Sequence, residues 1–504
     1  MRLLLTMALL ITCGAAQGHA SGPKAGELRT SRYLDSIRHQ PSMLLVFVRG
    51  LPKGGDLHNH LSGAVYAESY IGDAAKDGDC VDEGTMTFVP APCDSSHGKP
   101  PASEAFADSG LYTRLLDALS MRQFIPGAES GHDHFFATFG RFSLATKGHT
   151  GDMLADAAAL AAADHVTYLE LIFTPDQGLA ANLGAKLGWD PNFGQFRSKL
   201  LENGMAQVVA AGSKNLDEAE AHMREVLHCG QPGARPGCGV TVRYIYQVAR
   251  GLPPQMVFAQ MVAGFEMAKA DPRVVGLNLV MPEDGYISMH DFTLHMKMLD
   301  HLHGIYPKVH ISLHAGEITP DLVPPDGLRF HIRESIEMGH AERIGHGVDV
   351  MHEDRPIQLL KEMAQRRVLV EICLTSNDVI LGVRGKQHPF PVYLRYGVPV
   401  ALATDDEGVS RSDMNREYLR AIESYNLTYL QLKRMIRDSL DYAFIPGASL
   451  WRAPEEFVPV TACSKDSLGS AHPSTRCNTF LAASQRARIE WKEEGELNEF
   501  EKHF

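Results

Sequence analysis

The sequence has no basic block, and its formal net charge is −13 at pH 7. Proteins that hold nucleic acid usually present a basic face, so nucleic acid is not expected as a partner, and the acidity serves solubility. Internal repeats and low-complexity tracts are absent, which excludes repeat architectures, and no second independent domain stands out. The first apolar stretch, Leu3 to Ala16, is too short to span a bilayer. With Met1-Arg2 ahead of it and the small residues Gly18 and Ala20 behind, it reads as a cleavable signal over residues 1–20. Export to the periplasm or the outside is therefore expected, with no membrane attachment afterwards. A lipoprotein signal using Cys13 is disfavoured, because Thr12 is larger than the residue usually found before a lipidated cysteine.

Cysteine is scarce, eight in 504 residues, yet its placement is informative. Six fall into three close pairs, Cys80 with Cys93, Cys229 with Cys238 and Cys463 with Cys477, each bracketing a polar segment. That pattern suits loops stapled in an oxidising compartment, each bridge adding about 3 kcal/mol. Cys373 remains unpaired and reads as buried packing.

An apolar content of 44% with 22% charged residues suits a globular protein. Strand-like runs occur at residues 55–61, 166–174, 240–248, 274–281, 309–315, 343–348, 368–374 and 399–404. Helical stretches lie between them, at 153–163, 216–227, 255–270, 291–303, 332–338 and 357–366. Eight strands alternating with helices predict an α/β fold, a (β/α)₈ TIM barrel. An open doubly wound sheet is the alternative on periodicity alone. The expected organisation is a helical arm at 21–50, the barrel at 51–480 with a disulfide-stapled surface insertion at about 72–110 after strand one, and a terminal helix at 481–504.

The candidate chemistry lies at strand ends. In Asp56-Leu57-His58-Asn59-His60, two histidines one residue apart on a strand share a face, which suits a metal. Downstream come His314 in Leu313-His314-Ala315-Gly316-Glu317, His346 in Arg343-Ile344-Gly345-His346-Gly347, and the pair Asp405-Asp406 after Ala403-Thr404. His58, His60, His314 and Asp405 would supply three nitrogens and one oxygen to a zinc ion and leave a position for water. Metal ligation is a competing role for His346. A two-metal hydrolase would need a carboxylated lysine or further histidines, and no lysine stands at a matching strand end.

Together with Pro52-Lys53-Gly54-Gly55 ahead of the first histidine, these motifs resemble the adenosine deaminase family, and within it the secreted adenosine deaminase-related growth factor branch. The resemblance covers about residues 43–425. It implies one Zn²⁺ per chain and hydrolytic deamination of adenosine, with 2′-deoxyadenosine, to inosine and ammonia. It implies Glu317 as the acid that protonates purine N1, His346 as the residue that orients the attacking water, and Asp406 as a partner of N7 or of the water. Phe135 and Phe139 match the apolar helix that lids the purine, with a structural core as the alternative.

Departures bear on substrate recognition. Ser62 stands where intracellular members place an aspartate for the ribose, Met281 where a glycine meets N3, and Glu407 where a proline follows the aspartates. An adenine nucleotide or modified nucleoside is therefore the second substrate reading, with Arg384 and Lys386 as candidate phosphate partners. A non-catalytic binding or signalling protein on the same scaffold is the third. The branch implies a homodimer through an N-terminal helical extension; only about thirty residues precede the first motif here, so a dimer would need a shorter arm or another surface.

Overall fold

The computed structural model describes residues 24–504. The signal expected at 1–20, the lipoprotein alternative at Cys13 and the start of the arm lie outside the described residues. Eight strands pair in chain order, each parallel to the next: β1 (Gly54–His60), β2 (Val166–Phe173), β3 (Thr241–Ala249), β4 (Val274–Val280), β5 (His310–Ala315), β6 (Arg343–His346), β7 (Leu369–Ile372) and β8 (Val400–Leu402). These are the eight expected strands, with boundaries moved by no more than two residues. β8 returns to β1 through a parallel bridge between Asn59 and Asp405, where His60 N–H donates to the Asp405 carbonyl at 3.0 Å and Asp405 N–H to the His58 carbonyl at 2.9 Å. The ring is thus closed through candidate site residues, and the open sheet is not adopted.

The interior below the site is charged. His58, Glu371, Arg343 and Glu170 form a buried chain in which Arg343 pairs with Glu371 at 2.7 Å and with Glu170 at 2.5 Å, all four side chains fully enclosed. Its lower end is closed by Phe444, whose ring lies 3.8 Å under the Arg343 guanidinium. Charges so enclosed persist only when mutually paired, and this chain supplies an alternating sequence of partners.

Around the barrel, the helices between strands appear where the 3.6-residue period places them, for example Pro254–Ala270 and Pro356–Arg366, each begun by a proline in its first turn. The expected arm is two helices, Ala25–Ile37 and Pro41–Gly50, because Pro41 starts a new helix after the break at Arg38–Gln40. The terminal helix is likewise two, Thr475–Ala483 and Gln485–Glu501, divided where the Ser484 hydroxyl accepts from Ala487 N–H and caps the second. Lys433 ties the arm to the end of the chain, its ammonium donating to Glu27 at 2.9 Å and to Glu501 at 2.6 Å.

The insertion is more ordered than its composition suggests. It starts inside the helix Ala67–Asp77 and holds a small hairpin, Cys80–Asp82 with Thr87–Val89, which packs beside the helix Gly131–Phe142. All three expected disulfides are formed, Cys80–Cys93, Cys229–Cys238 and Cys463–Cys477, and Cys373 is buried and free. No helix among the described residues is long and apolar enough to cross a membrane.

Candidate functional site

The site forms where β1, β5, β6 and β8 end, at the carboxyl rim of the barrel, the position that βα-loops build upon in such folds. His58, His60, His314 and Asp405 each place one ligand atom within 4.8 Å of all the others. His314 Nε2 lies 3.0 Å from His58 Nε2 and 3.1 Å from His60 Nε2, and Asp405 Oδ1 lies 3.4 and 3.3 Å from the latter two.

The proton positions test whether this cluster suits a cation. His58 Nδ1 faces the Glu371 carboxylate at 2.7 Å, an acceptor only, so Nδ1 carries the proton. Asn278 Oδ1 accepts the His314 backbone N–H at 3.0 Å, which orients the amide, and it also accepts His314 Nδ1–H at 2.8 Å. His314 therefore turns an unprotonated Nε2 lone pair toward the Nε2 atoms of His58 and His60, and among the described residues Asp405 Oδ1 is buried with no hydrogen-bond partner. Lone pairs and a carboxylate so crowded repel unless a cation sits among them, so the donor set fits a divalent metal of the zinc type. Gly345 makes room for the arrangement: a Cβ there would stand 2.5 Å from His58 Cε1.

Backbone strain concentrates at the same place. His346 (φ +69°), Asp405 (φ +59°) and Met281 (φ +87°) all occupy the left-handed region that favours glycine. At Met281 this conformation supplies a reason for the glycine that the resemblance implies. The methionine is held nonetheless, because Arg250 donates to its carbonyl through Nε at 3.3 Å and Nη2 at 3.2 Å. At Asp405 the chain turns: β8 stops at Leu402, so Asp405 and Asp406 do not alternate across a strand and both line one cavity.

That cavity, about 440 Å³, is lined by Ser62, Phe135, Phe139, Met281, Glu317 and Asp406 among the expected residues, with His60, His314 and Asp405 at its base. Phe136, Gln247, Pro282 and Ile380 line it as well and were missed. Phe136 sits between two named aromatics, and Gln247 is a polar residue near the carboxyl end of β3, the position where barrel sites recruit side chains. His346 is fully buried behind this surface, and Cys373 is fully buried beside His58 and His346. Arg384 is three-quarters exposed and faces Asp378 at 3.7 Å, and neither it nor Lys386 reaches the cavity.

Glu317 follows β5 at a sharp turn. Glu283 holds that turn by accepting the Gly316 N–H at 3.0 Å and the Glu317 N–H at 2.7 Å, itself paired with His331 at 2.5 Å. Burial pushes the Glu317 carboxyl well above the usual carboxylate range, with repulsion from Asp405 and Glu283 adding to it. Its Oε1 has no hydrogen-bond partner among the described residues. Asp406 is raised for the same first reason, burial, and by its neighbour Asp405. The arrangement thus combines a cation-ready cluster with a buried acid of raised pKa on one cavity.

Comparison with known proteins bears on this geometry. A family model described as adenosine deaminase matches residues 130–451, more than half of the chain. An adenosine deaminase of Pectobacterium atrosepticum is 33% identical over 174 residues, 34% of this chain and 47% of that relative. One from Yersinia pseudotuberculosis is 36% identical over 152 residues, 30% of this chain and 42% of the relative. The chain thus spans about half the length of the curated relatives it matches. Among solved structures, arabidopsis ADAL complexed with IMP superposes with a TM-score of 0.52 at 19% identity, covering 79% of this chain and 93% of that one. An adenine deaminase from Arthrobacter aurescens gives 0.50 at 16% identity, covering 78% and 94%. At such identities these two speak to the fold alone.

Proposed function

Because the chain belongs to the adenosine deaminase family, we propose that it hydrolyses adenosine, and with it 2′-deoxyadenosine, to inosine and ammonia in an extracytoplasmic compartment. The observation that carries this reading is Glu317, a buried acid whose carboxyl burial raises above the usual range, placed beside a four-ligand cluster on an aromatic-lined cavity. One zinc ion, held by His58, His60, His314 and Asp405, would supply a water made acidic enough to act as a nucleophile near neutral pH.

The protein's own groups do the rest. Phe135, Phe136 and Phe139 cover an apolar ring face and exclude water from it. Glu317 gives its proton to purine N1 as the oxygen joins C6; the proton on that oxygen then passes to the amine, which leaves as ammonia as the C6–N bond breaks and C6 becomes a carbonyl. Asp406 accepts or donates at N7 or at the attacking oxygen, according to its proton. His346 orients that oxygen.

The lining favours a nucleoside over a nucleotide. Among the described residues no lysine or arginine lines the cavity, whereas Glu317, Asp405 and Asp406 do, so a phosphate dianion would enter without a side-chain counter-charge. Ser62 and Gln247 are the polar side chains left for a ribose. The three disulfides support an oxidising compartment.

The test is the change in purine absorbance when zinc-loaded protein meets adenosine, 2′-deoxyadenosine, adenosine monophosphate and adenine in turn. Adenosine should turn over fastest and the monophosphate least. Binding of all four without any turnover would leave a non-catalytic protein on this scaffold.

A further inference from the structure

We infer that Asn377 and His388 fix the proton of His346 on Nε2, so that this histidine meets the reaction as a hydrogen-bond donor and not as a base. The inference rests on the deaminase reading for the oxygen that His346 addresses, whereas the directions of the hydrogen bonds do not depend on it.

The wiring begins at a group of fixed polarity. The Phe390 backbone N–H donates to His388 Nδ1 at 3.1 Å, so that nitrogen holds a lone pair and the ring's proton is on Nε2. A doubly protonated His388 would set two N–H groups against each other. His388 Nε2–H accordingly donates to Asn377 Oδ1 at 2.9 Å, which decides which end of the amide is oxygen. Asn377 Nδ2 then donates to His346 Nδ1 at 3.0 Å.

His346 Nδ1 is thereby an acceptor. Its proton stays on Nε2, a buried atom with no hydrogen-bond partner among the described residues. Glu317 Oε1, 3.6 Å from Nδ1, is too distant to compete with the amide. All three side chains are buried, 0% exposed at His346 and Asn377 and 3% at His388, so solvent cannot reorient any member.

The scaffold makes the wiring stiff. Asn377 belongs to the helix Leu374–Leu381, where its N–H donates to the Cys373 carbonyl, and His388 precedes the helix Phe390–Tyr396, begun by Pro389. Neither residue lines the cavity, so both are positioning residues. A ring whose Nε2 already bears a proton can hold the incoming oxygen by donation, but it cannot take a proton from it at that atom. Proton acceptance from that oxygen then falls to a group other than His346 Nε2.

The experiment reads the tautomer directly. Full-length protein with its metal, labelled with nitrogen-15 histidine, should show His346 in the Nε2–H form by long-range proton–nitrogen correlation, assigned by the signals lost in His346→Gln. Asn377→Asp keeps the shape but accepts where the amide donated. It should move His346 to the Nδ1–H form or to the imidazolium, and lower kcat by at least about tenfold with KM nearly unchanged. His388→Gln, which keeps an N–H donor, should retain the Nε2–H form and most of kcat.

A wild-type ring found as the Nδ1–H tautomer or the imidazolium overturns the inference, as does an Asn377→Asp protein that keeps the Nε2–H form. The tautomer is read without substrate, so failure to deaminate any purine would remove the functional reading while the wiring is still measured.

Discussion

Single residues decide the chemistry, and two of them give sharp tests. Glu317→Gln removes the transferable proton and keeps the size. It should lower kcat by roughly 10²–10⁴-fold, the usual worth of a positioned acid, with metal content unchanged by elemental analysis; near-parental turnover would refute the role. Gly63→Ala is a subtler probe, because a Cβ at Gly63 would overlap the Asp406 carboxylate. The variant should fold, as judged by an unchanged circular dichroism spectrum, and lose at least about tenfold in kcat/KM through displacement of Asp406. Glu317 stands inside a motif visible in the chain, and Gly63 follows the first histidine motif by three residues. What was not visible is how they are served: Glu283 grips the turn that carries Glu317, and Asn377 addresses His346, through contacts that no spacing rule announces.

Elements decide access. The helix Gly131–Phe142 covers the cavity with one face while its other contacts anchor it, His132 Nε2 meeting Asp284 after β4 at 3.0 Å and His134 meeting Glu129 at 2.9 Å. Phe135 is nearly fully buried, while Phe136 and Phe139 are half-buried, and all three border the cavity. Phe139→Ala should therefore raise KM for adenosine by roughly tenfold, about 1.4 kcal/mol of lost apolar contact, with a smaller effect on kcat. Steady-state kinetics check it, and an unchanged KM would place the purine elsewhere. The aromatic spacing revealed a helix with an apolar face; only packing shows that part of that face borders a cavity.

The whole molecule is held by buried polar ties between its two ends and the barrel, and these predict its response to pH. Glu493, on the terminal helix, accepts the Gly54 N–H at 3.0 Å at the start of β1, and burial pushes its carboxyl up to about 8. In the unfolded chain the same group ionises near ~4.3. Between those values the folded state holds a proton that the unfolded state has released, so this group's contribution makes stability fall as pH rises through that window, and level off above it. Glu493→Gln should flatten that part of the profile in thermal melts taken from pH 5 to 8; an unchanged slope would assign the pH dependence elsewhere. The primary sequence by itself determined the alternation of strand and helix, the cysteine pairs and the residue types at the strand ends. Those signals are local: apolar period, turn residues and spacing are all readable within a dozen positions. The tertiary structure alone decided that Asp405 and Asp406 share one cavity, that the arm and the terminus each break into two helices, and which groups face the ring nitrogens of the site histidines. Those outcomes depend on distances between groups hundreds of residues apart, and such distances exist only once the ring of strands has closed.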